Sequence, residues 1–324
     1  MPVPTASDLH VNTLLSNLSI QYTQDREGFI ADRACPTCPV DKQTDIYPVW
    51  SKADFFRMQA QKRADEDKLP VAALGLDVSN SYHCDRYGLK KLVLATERRN
   101  SDIDIDQAVV SFLTEQILIA LDYKVVSKLL TYTNWTTSYD GVSAGPTGAQ
   151  FLQWNDSSSN PFQNVRTINT ALKKSCGRRA TTLLVTSDID DVLKEHSDIL
   201  DKVKYTQTGI ATNDLLAAAF GVKNYLVADA VYNSAAEAAT ASLAFMATKT
   251  AVLYFTADSP SKDTPSACYN FSWSEFDQVP SGKGATVRSW PEEDPVGEWM
   301  AAQMHFAPKI TAADAGICLK TVIA

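Results

Sequence analysis

The chain has little of what usually carries chemistry. Its four histidines, His10, His83, His196 and His305, lie in four separate segments, and no His-X-X-X-His or His-Glu-X-X-His spacing brings two imidazoles to one metal. Six cysteines among 324 residues, at 35, 38, 84, 176, 268 and 318, are too sparse for a disulfide scaffold, so reduced thiols in a cytoplasm are expected. There is no Gly-X-Ser-X-Gly and no Gly-X-Gly-X-X-Gly after a strand, and Ser281-Gly282-Lys283-Gly284 lacks the upstream Gly of a P-loop and reads as a turn. A basic excess is missing as well: 30 Lys and Arg face 38 Asp and Glu, a net charge of −8, which disfavours nucleic acid as a direct ligand. Long apolar runs are absent. Ala238 to Thr248 stops at Lys249, short of the roughly 20 residues of a membrane span, and Met1 to Ile20 shows no basic then apolar signal pattern.

What is present is ample core material. Hydrophobic residues make up 45% and charged residues 21%, and the length exceeds what one core usually serves, so two or three packed lobes are expected. From Pro2 to Asp45 scattered apolar residues, Pro36 and Pro39 suggest an extended arm that buries itself against something else. Ile46 to Phe56 and His83 to Leu94 are strand-like edges around a polar centre, Gln59 to Lys68, which reads as a long hairpin with a charged tip. Asp102 to about Thr131 carries apolar rows at 110, 113, 117, 121, 125 and at 109, 112, 118, 126, 129, 130, predicting a helix about 45 Å long capped by Ser101. Ser138 to Asn160 lacks any period and reads as a surface loop.

Asn160 and Pro161 open a second helix that Gly177 closes. Thr181 to Thr186 then reads as a buried strand, Ser187 to about His196 and Asn213 to Gly221 as helices, and Lys223 to Ala228 as a strand, together a compact α/β lobe. Beyond Leu243, strands at Leu243 to Met246, Ala251 to Thr256, Cys268 to Trp273, Thr286 to Trp290, Glu298 to Phe306 and Ile317 to Ile323 predict one antiparallel sheet on the long helix.

Three motifs have simpler explanations than chemistry. Cys35-Pro-Thr-Cys38 is half a zinc or redox site without its second half, so neither metal nor cofactor is expected. Asp102-X-Asp104-X-Asp106 starts like a calcium loop, but Gln107 and Leu113 replace the required Gly and Glu; a helix N-terminus accounts for the acids. Lys173, Lys174, Arg178 and Arg179 form the densest basic patch, at a helix C-terminus where cations complement the dipole.

The order of parts carries a resemblance. Tyr22, Gly28-Phe29-Ile30-Ala31-Asp32-Arg33, Pro39-Val40 and the run Asp45-Ile46-Tyr47-Pro48-Val49-Trp50-Ser51-Lys52-Ala53-Asp54-Phe55-Phe56-Arg57 look like the N-terminal portion of tailed-bacteriophage major capsid proteins with the HK97 fold. Tyr87-Gly88-Leu89-Lys90 before Glu97-Arg98-Arg99-Asn100 resembles that family's hairpin return. Leu215 to Val222 with Val227 to Asn233 resembles its axial lobe, and Lys309 to Gly316 its closing hairpin.

The resemblance implies an α+β, HK97-like fold: N-terminal arm over 1–45, extended loop over 46–82, peripheral domain with a spine helix over 83–151 and 242–324, and α/β axial domain over 152–241. It implies a non-enzymatic subunit that assembles into hexamers and pentamers of an icosahedral head, enclosing double-stranded DNA without sequence-specific binding. Implied too are residence in the virion, assembly in the host bacterial cytoplasm, a portal protein, a decoration protein as an optional partner, and a separate scaffolding protein, since no charged coiled coil precedes the arm. The assembly contacts it implies are Phe29, Trp50, Phe55, Phe56, Arg57, Lys62, Arg63, Asp65, Glu66, Asp67 and Lys68. A nanocompartment shell of encapsulin type, and a cytoplasmic α/β enzyme with a nucleotide-binding lobe, are the competing readings.

Overall fold

The computed structural model describes residues 28–60, 62, 71–101, 104–203, 212–235, 239–260, 266–274 and 284–324. The arm before Gly28, the tip residues Arg63, Asp65, Glu66, Asp67 and Lys68, and Ser281 to Lys283 lie outside these. In chain order come α1 (Ala31–Ala34), β1 (Thr37–Val40), β2 (Thr44–Ile46), β3 (Val49–Trp50), α2 (Lys52–Phe55), β4 (Leu76–Asp77), β5 (Ser81–His83), β6 (Asp85–Leu94), α3 (Ala95–Asn100) and α4 (Ile105–Leu130). Then follow β7 (Thr137–Val142), β8 (Gln150–Leu152), α5 (Pro161–Cys176), β9 (Thr182–Thr186), α6 (Ser187–Glu195), α7 (Ser197–Val203), α8 (Asn213–Phe220), β10 (Asn224–Ala228), β11 (Val231–Asn233) and β12 (Leu243–Phe245). The chain closes with β13 (Ala251–Tyr254), β14 (Cys268–Trp273), β15 (Thr286–Glu293), β16 (Val296–Ile310) and β17 (Gly316–Lys320).

Two sheets organise these elements around α4. A five-stranded sheet runs β1-β14-β16-β15, with β6 also paired to β16, and a six-stranded sheet runs β10-β9-β13-β17-β7-β8. Period-two alternation explains why β9 and β13 read as unbroken apolar runs. Leu184, Val252 and Tyr254 face the core that surrounds α4, whereas Leu183, Val185, Ala251 and Leu253 face a second core with Val165, Ile168 and Leu172 of α5. A strand covered on both faces has no polar side to alternate with. The expected boundaries at 151 and 242 therefore fall within one hydrogen-bonded sheet, since β13 joins β9 to β17.

Several expectations need correction. The long helix starts at Ile105, and its cap is Asp104, whose carboxylate accepts from the Gln107 N–H at 3.1 Å; Ser101 instead ends the separate helix α3. Its buried stripe follows Val109, Leu113, Ile117, Leu121 and Val125, and Phe112, 100° round the helix from Leu113, is 49% exposed. The presumed loop from Ser138 contains β7 and β8, which extend the six-stranded sheet in parallel. Backbone ladders do not need apolar side chains, and Gly141 lets the chain pass Thr321, whose carbonyl oxygen would lie 2.1 Å from a Cβ there. The C-terminal strands do not make one sheet: β14, β15 and β16 join the five-stranded sheet, β13 and β17 the six-stranded one, and β12 pairs with β11. β6 pairs with β16 over ten positions, so the hairpin proper is the β2–β5 and β3–β4 ladders.

The described part of the arm covers the chain's own core, contrary to the expectation that it finds its cover elsewhere. Ile30, Ala31, Ala34 and Cys35 are buried, and β1 lies parallel to β14. Asp122, in the middle of α4 and fully buried, holds this segment: its Oδ1 accepts the N–H of Ile30 at 2.9 Å and of Ala31 at 2.7 Å. At the other end the Ala34 carbonyl accepts the Tyr254 hydroxyl at 2.9 Å and the Cys268 thiol at 3.4 Å. Cys35 is buried beside Cys268, and burial pushes its thiol well up, whereas Cys38 sits half-buried on β1.

Candidate assembly surface

The hairpin is a thin element that cannot bury its own apolar side chains. Between β3 and β4 only two residue pairs are in register, and a two-stranded ribbon in water has no face to cover. Ile46, Trp50, Phe55, Met58, Val71, Leu74, Leu76 and Val78 are all exposed, Met58 at 92% and Val71 at 98%. Such a concentration of apolar area on a projection marks a surface completed by another molecule.

Local hydrogen bonds give the ribbon a defined shape. Asp54 accepts the Gly75 N–H at 3.0 Å, and Gln59 bridges both strands, donating to the carbonyls of Asp54 and Ala73 and accepting the Ala73 N–H at 3.0 Å. These donors, Gly75 first and then the Ser51 hydroxyl, hold the Asp54 carboxyl below its ordinary range. Trp50 and Phe55 meet edge to face at 6.4 Å. At the base, Tyr82 stacks on Phe271 at 4.5 Å and Tyr47 leans on the same ring, fixing the ribbon to β14.

The hairpin also touches the chain's own helical lobe, which the expectation of a free projection missed. Lys52 pairs with Asp314 at 2.5 Å, and the Phe56 ring lies over Gly177, the left-handed cap of α5 with φ 76°. A Cβ at 177 would lie 2.6 Å from Phe56 Cζ. Gly177→Ala should thus both strain the cap by about 1 kcal/mol and expel the ring. Hydrogen exchange at residues 51–56 should accelerate while that of β9 stays unchanged; unaltered exchange at 51–56 would show that Phe56 does not tether the ribbon.

The sequence-derived contacts therefore divide. Trp50 and Phe55 are exposed and adjacent, whereas Phe56 is exposed on one side and seated on Gly177 on the other. Arg57 is exposed and 3.9 Å from Asp54, and Lys62 is exposed. Phe29 is half-buried and packs against the core around α4, so it is committed within its own chain. Two positioning contacts escaped the sequence reading, that of Lys52 with Asp314 and that of Asp122 with the arm. The second left a signal, because position 122 lies one helical step from Leu118 and Val126 in an apolar row where a carboxylate is anomalous.

Comparison with known proteins agrees with this architecture. The model of the phage major capsid protein E family matches residues 151–318, more than half of the chain. The major capsid protein of Burkholderia phage BcepMu is 28% identical over 224 residues, 68% of this chain and 70% of that protein. A crystal structure of a phage-related protein from Bordetella bronchiseptica RB50 superposes with a TM-score of 0.68 at 17% identity, covering 96% of this chain and 97% of that one. The capsid of cyanophage P-SCSP1u does so with a TM-score of 0.61 at 9% identity, covering 99% of each chain. The α+β arrangement of arm, hairpin, spine helix and two sheets is the HK97 fold of phage capsids. The chain belongs to the phage major capsid protein E family, and it is a structural subunit of the oligomeric capsid shell of a tailed-phage virion.

Proposed function

We propose that the hairpin ribbon is the principal contact through which one subunit grips the next, closing hexamers and pentamers into an icosahedral head around double-stranded DNA. The observation that carries this reading is the exposed apolar ribbon, Trp50, Phe55, Met58 and Val71 above all, on an element with no covering face of its own. Residues 1–45 act as the arm, 46–82 as the extended loop, 83–151 with 242–324 as the peripheral part and 152–241 as the axial part. The role is structural rather than catalytic. Assembly proceeds in the host cytoplasm with a separate scaffolding protein and a portal, with a decoration protein as an optional further partner of the head.

The charged tip acts in register rather than in affinity. Lys62, Arg63, Asp65, Glu66, Asp67 and Lys68 supply both signs of charge, and an exposed ion pair contributes only about 0–1 kcal/mol, so its effect comes from repetition around the shell. Replacing these six by Ser or Gly should leave the unfolding midpoint of the isolated subunit nearly unchanged while shells form slowly or fall apart in salt. Light scattering and electron microscopy of the chain with its scaffolding partner decide the matter. A destabilised subunit that still assembles normally would place the tip against its own lobe.

A further inference from the structure

The base of the hairpin borders an open cleft of about 490 Å³ between the last turns of α4 and the end of β16. Lys124 and Lys128, one helical turn apart and both exposed, line it together with Lys309 and His83. Among the described residues neither Lys124 nor Lys128 forms an ion pair. Lys42, Lys52, Lys194, Lys223 and Lys320 each pair with an Asp, so Lys124 and Lys128 belong to the lysines whose charge no acid among the described residues offsets. Lys309 donates to the Ser81 carbonyl and lies 5.5 Å over the Tyr47 ring, and Asp85, 3.6 Å from the His83 ring, is the single acid of the lining. The dipole of α4 accounts for Lys128 in its last turn but not for Lys309 on a different element.

The aromatic lining narrows the chemistry of the occupant. Tyr82 is stacked on Phe271 at 4.5 Å and Tyr87 on Phe306 at 4.3 Å, so each already spends a ring face within the chain. The cleft offers three ammonium groups as point charges and no stacking platform, a combination suited to phosphate and indifferent to bases.

We propose that this cleft binds phosphate groups of a polyanion, with the DNA backbone as their source, one short segment per subunit and without regard to sequence. The proposal rests on the reading of the chain as the wall of a DNA-filled head. It reconciles an acidic subunit with DNA inside: most of the surface repels the backbone, and one small cleft holds it.

The test is lysine acylation read by mass spectrometry, on DNA-filled particles and on empty ones. Lys124, Lys128 and Lys309 should react several-fold more slowly in filled particles, with exposed Lys91 and Lys173 unchanged as references. Equal reactivity in both overturns the proposal, and so does protection already complete in empty particles, which would put a protein segment in the cleft. In a second arm, unassembled subunits are titrated with short random-sequence duplex DNA and with inorganic polyphosphate. Three phosphate contacts predict a slope near −2.7 in log affinity against log salt, about a 40-fold loss from 50 to 200 mM, that Lys124→Gln, Lys128→Gln, Lys309→Gln abolishes. Protection by duplex DNA supports the backbone as source, and protection by polyphosphate alone overturns it. Failure of the natural chain to form particles would count against the shell reading, whereas normal particles with no lysine protection would count against this proposal only.

Discussion

Asp122→Asn should leave the subunit more stable than the natural chain at pH 8 and no different at pH 4. Burial, first, raises the Asp122 carboxyl from 3.8 to about 6; nearby Asp229 pushes the same way, against the two N–H bonds from Ala31 and Ile30 and the charge of Arg33. Oδ2 has no hydrogen-bond partner among the described residues, so the ionised group keeps an oxygen in an apolar core without compensation. With the folded pKa above the unfolded one, the folded state holds the proton longer. The associated stability is complete below about pH 3.8 and is lost as pH rises through about 6, amounting to about 3 kcal/mol.

Asn removes the charge and keeps the carbonyl oxygen that Ile30 and Ala31 use. Asp122→Ala removes that oxygen as well, leaving two buried N–H groups unpaired, and should cost about 2–5 kcal/mol at pH 4 while loosening residues 28–35, the difference from the natural chain shrinking by about 3 kcal/mol toward pH 8 because Ala too lacks the buried charge. Denaturant midpoints from pH 4 to 8 check both variants. Parallel curves for Asp and Asn would mean that the carboxylate is not the pH-dependent element of the fold.

Replacing Trp50, Phe55, Met58 and Val71 together by Ser should abolish closed shells while leaving the subunit folded. All four are exposed in the single chain, so their loss removes only the Trp50–Phe55 edge contact from the subunit and no core packing. If a neighbour covers them, each contributes about 1.5–3 kcal/mol of apolar burial, and the four together exceed about 6 kcal/mol per contact. That is more than a ten-thousandfold change in association, repeated at each hairpin of the shell. Phe56 is deliberately kept, because it tethers the ribbon to Gly177. Electron microscopy beside circular dichroism reads the outcome. Intact shells from the four-residue variant would remove the ribbon from the interface.

Sequence periodicity located α4, α5 and β14 closely because each depends on local chemistry. The Asn160 side chain does accept the Gln163 N–H at 2.9 Å, Pro161 does occupy the first turn, and Gly177 does adopt the left-handed cap. Cys268–Trp273 was legible to the residue. The assembly surface was legible in part. Aromatic side chains in a segment with no helical period mark Trp50 and Phe55, but nothing local says that Phe56 turns back onto a glycine 121 positions away.

By itself, then, the amino-acid sequence determined the spine helix, α5, β9 and β14, and where the spine helix is capped to within a turn. Those properties follow from side-chain periodicity, capping chemistry and composition, all short-range. Tertiary structure alone decided that β13 and β17 leave their neighbours for the second sheet, that β7 and β8 are strands, and that Asp122 clasps the arm. It also decided that Lys124, Lys128 and Lys309 line one cleft. Sheet partnership and buried polar pairing join residues tens to hundreds of positions apart, and their energies depend on what faces each group after folding, which no local window of sequence contains.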